Sequence, residues 1–375
     1  MKLIFRAWPA QAVAFSIFFA ATLCPAQQGM TWQQVKARFE ASNPELKADA
    51  DSVDEMQAEE ITAYLRPNPQ FGLLADGTQI APHDGVWTPF KGTYEEPSVS
   101  YLHERDHKRE LRLESAQEGT QISESEHEDL KRTLEFTLRS AFVQTLEADD
   151  VVKLAQDDLD YYDKIIAISR DRFRDGDIAS IDFDRIELLR VQYEAELQTA
   201  IVNLRTAKIQ LLQLLNDRTP LEQFDVTGAF DFSDALEPLE DFRQIALASR
   251  PDLQAALQTI QQSETNHKLA DANGSIDPTI SAWYTHNAST NNPNGTQTLG
   301  ASVNIPLRIF DRNQGEKQRT QIDIDRSWQA SEATRAQVFS DVDTAYAEVA
   351  ANIADDKAHM GLWNIENDRQ VAPQP

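Results

Sequence analysis

The chain has 375 residues, 41% of them hydrophobic and 26% charged, which is enough apolar content for a core. With 13 glycines it is not collagen-like or linker-like, and its single cysteine, Cys24, excludes a disulfide framework and a cysteine-based zinc site. Its 61 acidic residues against 35 basic ones give a net charge of −26, which repels a phosphate backbone, so we expect no nucleic-acid partner.

The N-terminal segment has the pattern of a secretory signal peptide. Lys2 and Arg6 form a basic start, residues 12–23 are almost wholly apolar, and Ala26 supplies the small residue at a cleavage site. We predict cleavage after Ala26, so that residues 1–26 are a signal peptide. Lipidation of Cys24 and a buried N-terminal helix are the alternatives. The segment predicts an exported protein.

The rest of the chain contains an internal repeat. Residues 42–48 (SNPELKA) correspond to residues 249–255 (SRPDLQA) at an offset of 207. Three further pairs keep the same order at offsets of 204–209: Pro69 with Pro278, Ser98-Val99 with Ser302-Val303, and Ala141-Phe142 with Ala345-Tyr346. This period is too long for a solenoid. It predicts two structural repeats, residues 27–220 and 221–360.

Each repeat has the same predicted elements in the same order. A short helix surrounds the NPEL or RPDL motif, whose proline suits a first helical turn, and an amphipathic helix follows. Two extended segments come next, 70–74 and 98–102 (strand pair 70–102) in the first repeat, 279–287 and 298–307 (strand pair 279–307) in the second. The later strands have the length of a tilted membrane strand. The strands alone fit an ordinary surface hairpin equally well.

A long helical hairpin is predicted over residues 108–216. The segment from Lys108 to Arg174 has no proline and one glycine, Gly119, which favours a single helix. Gly176 can adopt a positive φ and end that helix. Apolar residues from Ile186 to Leu214 then recur in steps of three and four, a heptad seam that predicts an antiparallel return helix. A generic coiled-coil scaffold has the same pattern.

These features resemble the outer-membrane efflux protein family, the TolC-like channels. The run IPLRIFDRNQGE at 305–316, the RPDL motif at 250–253 and the Gly176 tip are similar to its heavy-metal-efflux branch. The resemblance covers roughly residues 30–360. It implies a mainly α fold with a small β part: a long antiparallel coiled-coil helical hairpin, and two strand pairs contributing to a trimeric 12-stranded outer-membrane β-barrel.

The resemblance also implies a function and partners. We expect a passive outer-membrane channel of a tripartite efflux system, exporting periplasmic substrates, heavy-metal cations in this branch. The implied partners are a homotrimer, a periplasmic adaptor (membrane fusion protein), an inner-membrane pump and outer-membrane lipid. No catalytic, cofactor-binding or metal-binding residues are expected. The alternative is an exported periplasmic coiled-coil adaptor or scaffold without a membrane barrel.

The adaptor-contacting tip of the family is similar to the residues around Gly176 here. On this resemblance the docking residues are Arg172, Gly176, Ile178, Ser180 and Asp182. The same residues fit a plain turn, with Gly176 as the C-cap and Ser180 or Asp182 as the N-cap of the return helix.

The second repeat departs from the first after Ala345-Tyr346. The first repeat continues from Phe142 to Leu215, whereas 29 residues follow Tyr346. Residues 361–375 are polar and mixed, without heptads. We expect an incomplete second repeat that holds only the start of its long helix, followed by a tail at 361–375 outside the family pattern.

Residues 103–107 (HERDH) match the HExxH zinc protease signature. That signature puts two imidazoles, here His103 and His107, on one face of a helix, with Glu104 activating water. The residues between them, Arg105 and Asp106, are charged, whereas the protease helix is buried. We therefore expect no zinc at this motif, and a zinc metalloprotease is a remote alternative.

Overall fold

The computed structural model describes residues 29–230, 235–287 and 296–371, with side chains up to residue 358. The chain is mainly helical with one small antiparallel sheet, which confirms the predicted fold class. None of the described helices combines the length and apolar character needed to cross a bilayer. The predicted signal peptide lies outside the described residues.

The elements follow one another in an order that recurs. The helices are α1 Trp32–Ser42, α2 Pro44–Ala63, α3 Lys108–Arg174, α4 Ser180–Leu214, α5 Leu239–Ser249, α6 Pro251–Asn273 and α7 Gln314–Val371. The strands are β1 Gln70–Asp76, β2 Tyr94–Leu102, β3 Thr279–Asn287 and β4 Gln297–Asn304. The order helix, helix, strand, strand, long helix occurs in α1 to α3 and again in α5 to α7, as the internal repeat predicts.

Several boundaries differ from the predicted ones, and β1 ends at Asp76 rather than residue 74. Strand β2 begins at Tyr94 rather than residue 98, and β4 ends at Asn304, just before Pro306, which has no N–H for a ladder. Helix α7 continues to Val371, into the segment predicted as a tail, and no proline occurs there before residue 373.

Helices α2 and α6 both begin with a proline but are secured differently. The Asn43 side chain accepts a hydrogen bond from the Leu46 N–H at 2.9 Å, an N-cap next to Pro44. Arg250 holds the equivalent position before α6, and its guanidinium binds Asp252 (2.6 Å) and Asp341 (2.8 Å). Hydrogen bonding to Arg250 lowers the pKa of Asp341. An ion pair thus replaces the side-chain cap in the second repeat.

One compact unit comprises residues 29–39 and 138–229. Its core consists of side chains from α1, α3 and α4 that are almost fully buried: Val35, Phe39, Leu138, Phe142, Leu211 and Leu215. Trp32 packs on Phe142 with ring centroids 5.6 Å apart, and the Arg139 guanidinium lies 4.7 Å from the Trp32 ring. The return helix therefore covers the apolar stripe of this part of α3.

The other compact unit comprises residues 40–137 and 230–371 and contains the sheet. Polar pairs join its helices. Ser115 and Asn266 are 2.7 Å apart between α3 and α6, and Ser263 and Ser327 are 2.9 Å apart between α6 and α7. Elsewhere in this unit, α5 and α7 enclose an apolar groove of about 340 Å³ lined by Phe242 and seven other side chains.

Candidate functional site

The four strands form one antiparallel sheet in the order β1-β2-β3-β4. Phe71 lies opposite Val99, Val99 opposite Ala282, and Ala282 opposite Ala301. The two strand pairs of the repeats are therefore neighbours through β2 and β3. Among the residues that the structure describes, strands β1 and β4 are the edges, each with backbone groups on its outer side that no other strand pairs.

The sheet has one apolar face and one mainly polar face. Cross-strand partners share a face, and alternate residues of a strand lie on opposite faces. One face carries Phe71, Leu73, Ala75, Pro97, Val99, Tyr101, Ile280, Ala282, Tyr284, Leu299, Ala301 and Val303, with Glu95, His286 and Gln297 in a polar row at one end of the same face. The other carries serines, threonines and asparagines from β2, β3 and β4, together with Leu74, Leu102 and Trp283. This division is the main candidate functional feature.

The apolar face is exposed rather than packed against a core. Phe71 is 72% exposed, Leu299 84% and Val303 60%. Contiguous apolar surface of this kind marks an interaction site, and an apolar band on alternate residues is the pattern of a strand that contacts lipid.

On the polar face the Trp283 indole lies over Gly300, its direct partner in β4. A Cβ at residue 300 would lie 2.4 Å from the Trp283 Cε2 atom. Glycine is therefore the residue type that lets this ring lie flat on the neighbouring strand. This contact was not predictable from the sequence, because it depends on the register between β3 and β4.

The turn between α3 and α4 is a Schellman motif. Gly176 has a φ of +85°, the Asp177 N–H donates to the Arg172 carbonyl (2.8 Å), and the Gly176 N–H donates to the Phe173 carbonyl (3.1 Å). This geometry agrees with the prediction that Gly176 ends α3. Beneath the turn the rings of Phe173 and Phe183 stack at 5.4 Å and join the two arms.

The predicted docking residues lie together at this turn. Arg172, Gly176, Ser180 and Asp182 are exposed, and Ile178 is half-buried. One expectation is wrong: neither Ser180 nor Asp182 is the N-cap, because Ala179 holds that position without a side-chain hydrogen bond. The Ser180 and Asp182 side chains therefore lie in the first turn of α4, and Asp182 pairs with Arg185 at 3.6 Å.

The HERDH motif forms a turn, not part of a helix. Helix α3 begins after it, and Asp106 and His107 have positive φ values of 55° and 56°. Glu104 is engaged by the Arg112 guanidinium through contacts of 2.6 and 2.9 Å. This turn lacks the one-sided helical placement of the two imidazoles that the protease signature requires. Within the described residues, no group of three His, Cys, Asp or Glu side chains could hold a metal ion.

The start of α3 is tied to the start of β3 by a buried ion pair that the sequence analysis did not find. The Lys108 ammonium is 2.5 Å from the Asp277 carboxylate, and the Lys108 side chain is 3% exposed. Asp277 also accepts the Arg105 backbone N–H at 2.9 Å. The two residues are 169 positions apart, so local spacing gives no signal of their contact.

The corresponding junction before α7 repeats this backbone geometry. Asn313, 206 residues after His107, has a φ of +63°, and its carbonyl accepts the Lys317 N–H at 3.0 Å. The His107 carbonyl accepts the Leu111 N–H in the same way at 2.8 Å. Both repeats therefore enter the long helix through a residue of positive φ, which follows a second such residue, Asp106, in the first repeat only.

Comparison with known proteins agrees with the predicted resemblance. Residues 242–360 match the family "Outer membrane efflux protein". The chain is 24% identical over 287 residues to the cobalt-zinc-cadmium resistance protein CzcC of Cupriavidus metallidurans, covering 73% of this chain and 62% of that protein. The chain thus spans less than two thirds of the length of this curated relative.

Solved channel structures share the fold. The CmeC outer membrane channel of Campylobacter jejuni superposes with a TM-score of 0.72 at 13% identity, over 90% of this chain and 75% of CmeC. CusC, described as forming a transmembrane channel, superposes with a TM-score of 0.65 at 14% identity, over 90% and 78% of the two chains. The resemblance to outer-membrane efflux proteins predicted from the sequence is confirmed.

Proposed function

We propose that this chain, whose second half carries an outer-membrane efflux protein domain, is the outer-membrane channel component of a tripartite efflux system. The observation that carries the proposal is the exposed apolar face of the four-stranded sheet, with its open edges at β1 and β4. Lipid is the environment in which such a face is stable and its polar reverse side lines a water-filled lumen.

The open edges support a closed assembly of several copies. Four strands are too few to close a barrel. Each unpaired backbone N–H or C=O group at a strand edge costs roughly several kcal/mol of free energy inside a bilayer. Three copies contributing four strands each satisfy every edge, in the arrangement that the family resemblance implies. Such a pore is passive, with energy supplied by an inner-membrane pump through a periplasmic adaptor.

A paired substitution in β4 tests the membrane role. Ala301 lies on the apolar face and its neighbour Ser302 on the polar face. We expect Ala301→Arg to destabilise the membrane-inserted protein by about 2–4 kcal/mol and to remove it from the outer-membrane fraction. We expect Ser302→Arg to leave the protein in that fraction and to alter its conductance in planar bilayers. An exported scaffold would remain in the soluble periplasmic fraction with either substitution, and that result would exclude the channel.

We further propose that the α3–α4 turn docks the periplasmic adaptor through Arg172, Gly176, Ile178, Ser180 and Asp182. The exposure of Arg172, Gly176, Ser180 and Asp182 supports this, since exposed side chains at a turn are accessible to a partner. We expect Asp182→Arg to reduce crosslinking to the adaptor while the helical circular dichroism signal is unchanged. The control is Asp158→Arg, the same charge reversal at an exposed site earlier in α3, away from the turn. Equal crosslinking of both variants would refute the docking role.

The substrate class proposed is divalent heavy-metal cations. The support is the name of the curated relative, a cobalt-zinc-cadmium resistance protein, and the net charge of −26, which attracts cations. We expect expression of this protein to raise resistance to zinc or cobalt in a bacterial strain that lacks its own efflux channel for these metals. Resistance limited to organic compounds would contradict this assignment.

A further inference from the structure

A pocket lined by three cationic side chains and two imidazoles lies where β2 meets α3. Its volume is about 230 Å³, and the side chains of Arg66, His103, His107, Lys108 and Arg109 line it. Such a cluster contrasts with a chain whose net charge is −26. His103 and His107 match a protease signature in the sequence, and the proposed channel does not use them.

The acidic groups at this pocket are already neutralised. Glu104 binds Arg112, and Glu110 accepts a hydrogen bond from Arg109 at 2.8 Å that lowers the pKa of its carboxyl group. Lys108 is paired with Asp277. These pairs leave the pocket with a surplus of donors.

The surplus donors are identifiable. Among the described residues Arg66 forms no ion pair, and the two imidazoles are exposed. The Arg109 Nε atom is buried without a hydrogen-bond partner, although the same guanidinium lies 4.3 Å from the Tyr64 ring. A buried donor without a partner costs free energy unless a ligand or water accepts from it.

We propose that this pocket binds a phosphate group, carried by the headgroup of a phospholipid. Guanidinium groups bind phosphate oxygens in a forked geometry, and imidazole N–H groups add further donors. Tyr101, which lines the pocket, is also the last apolar-face residue of β2, so acyl chains attached to the bound phosphate can continue along that face. This choice of source rests on the proposed membrane role of the sheet, whereas phosphate binding itself does not.

The second repeat offers an internal control. The residues 206 positions after His103 and Glu104 are Ile309 and Phe310, which are 62% and 90% exposed. The equivalent of His107 there is Asn313. Backbone geometry alone therefore does not produce a cationic pocket, and the exposed Arg312 at this second junction is a matched site for removing one charge.

The test measures ligand binding to the full chain in detergent by titration calorimetry. The ligands are short-chain phosphatidylglycerol, inorganic phosphate, and the matching diacylglycerol without phosphate. The variants are Arg66→Gln, Arg66→Gln with His107→Asn, and Arg312→Gln as control. Asparagine is chosen at residue 107 because Asn313 holds the same positive φ. Thermal melting verifies that each variant is folded.

We expect phosphatidylglycerol to bind, diacylglycerol not to bind, and Arg66→Gln to weaken binding about tenfold or more while Arg312→Gln stays within about twofold. Binding of inorganic phosphate alone would keep the pocket and identify free phosphate as the source. Equal losses in both arginine variants, or the absence of phosphate-dependent binding, would overturn the proposal. Failure to conduct in bilayers would count against the channel but would not affect the inorganic phosphate measurement.

Discussion

At the residue scale, single side chains hold the sheet and its junctions in place. Trp283 uses the space that Gly300 leaves, and Lys108 and Asp277 join two segments distant in sequence. These contacts are local in space and each involves one pair of residues. Substitution of one partner therefore tests each of them directly.

Gly300→Ala should destabilise the sheet by about 1–3 kcal/mol, because the new Cβ overlaps the Trp283 ring and forces it away from β4. Gly315→Ala is the control, since no atom lies within 4 Å of its added Cβ and it is in the first turn of α7. We expect this control to be neutral or stabilising by up to about 1 kcal/mol. Thermal melting of both variants decides, and equal melting temperatures would contradict the contact.

Lys108→Met should destabilise by about 3–5 kcal/mol, because it leaves the Asp277 carboxylate without its buried cation. Lys131→Met is the comparison: its contact with Glu128 is 3.8 Å long and exposed, so we expect a loss below about 1 kcal/mol. Denaturant unfolding measures both. Adding Asp277→Asn to Lys108→Met should recover part of the stability, and no recovery would argue that the two residues are not coupled.

At the element scale, turn geometry and polar interfaces determine how the helices associate. The Schellman turn at Gly176 closes the hairpin without a side-chain cap on α4. Hydroxyl, amide and carboxyl groups form hydrogen bonds between helices α3 and α6. The stability of the turn therefore depends on the backbone conformation of Gly176, and the stability of the interface depends on the protonation of Glu118.

Gly176→Val should weaken the turn by about 1–2 kcal/mol, because a β-branched residue resists the φ of +85°. Gly176→Asn should cost less, since asparagine tolerates this conformation. Hydrogen exchange of the Gly176 and Asp177 amides, which donate to Phe173 and Arg172, reports the opening. If valine and asparagine give equal exchange rates, the positive φ is not what limits this position.

Glu118 makes the α3–α6 interface sensitive to pH. Burial raises its pKa, aided by Glu114 and Glu264 and opposed by Lys268 and a hydrogen bond from Thr265. The folded chain therefore favours the protonated form of the Glu118 carboxyl group more than the unfolded chain does. Its stabilising contribution is complete below the ordinary glutamate pKa of about 4.3 and is lost as the pH rises through the raised value.

Glu118→Gln should therefore raise the melting temperature at pH 7 relative to pH 4, when each is compared with the unsubstituted chain at the same pH. The amide mimics the protonated acid at every pH, so its advantage appears only where Glu118 is ionised. Glu124→Gln, an exposed site on the same helix, is the control. A pH-independent difference between Glu118→Gln and the unsubstituted chain would refute this role.

At the scale of the whole molecule, the open edges of the sheet define how copies can meet. Strands β1 and β4 each lack a partner on one side within the described part of the chain. On the proposed assembly, β1 of one copy pairs with β4 of the next. The acidic surface and the exposed apolar face are then separated into aqueous and lipid environments.

Cysteine pairs test this assembly. Leu73→Cys combined with a cysteine at residue 299, 301 or 303 should form disulfides between copies, giving species up to a trimer on denaturing gels. Val99→Cys with Ala282→Cys is the control, because these residues face each other within one chain and should form no oligomers. A ladder continuing beyond three copies, or no crosslinks at any edge pair, would contradict a closed trimer.

Features that depend on local backbone preference could be predicted from the amino-acid sequence. Gly176 ends α3 because glycine tolerates positive φ, and the stretch from Lys108 to Arg174 is one helix because no proline interrupts it. The repeat of landmarks at an offset near 205 anticipated the recurring order of elements. The resemblance to efflux channels followed from these motifs and the run at 305–316.

Features that depend on strand register and on contacts between distant residues became visible in the folded chain. The two strand pairs join through β2 and β3, which aligns their apolar residues on one exposed face. Two successive positive φ values turn HERDH away from helical geometry, and the same fold places Lys108 beside Asp277. Sequence spacing could not show these contacts. Each of them joins residues that are distant in the sequence and become neighbours only when the chain folds.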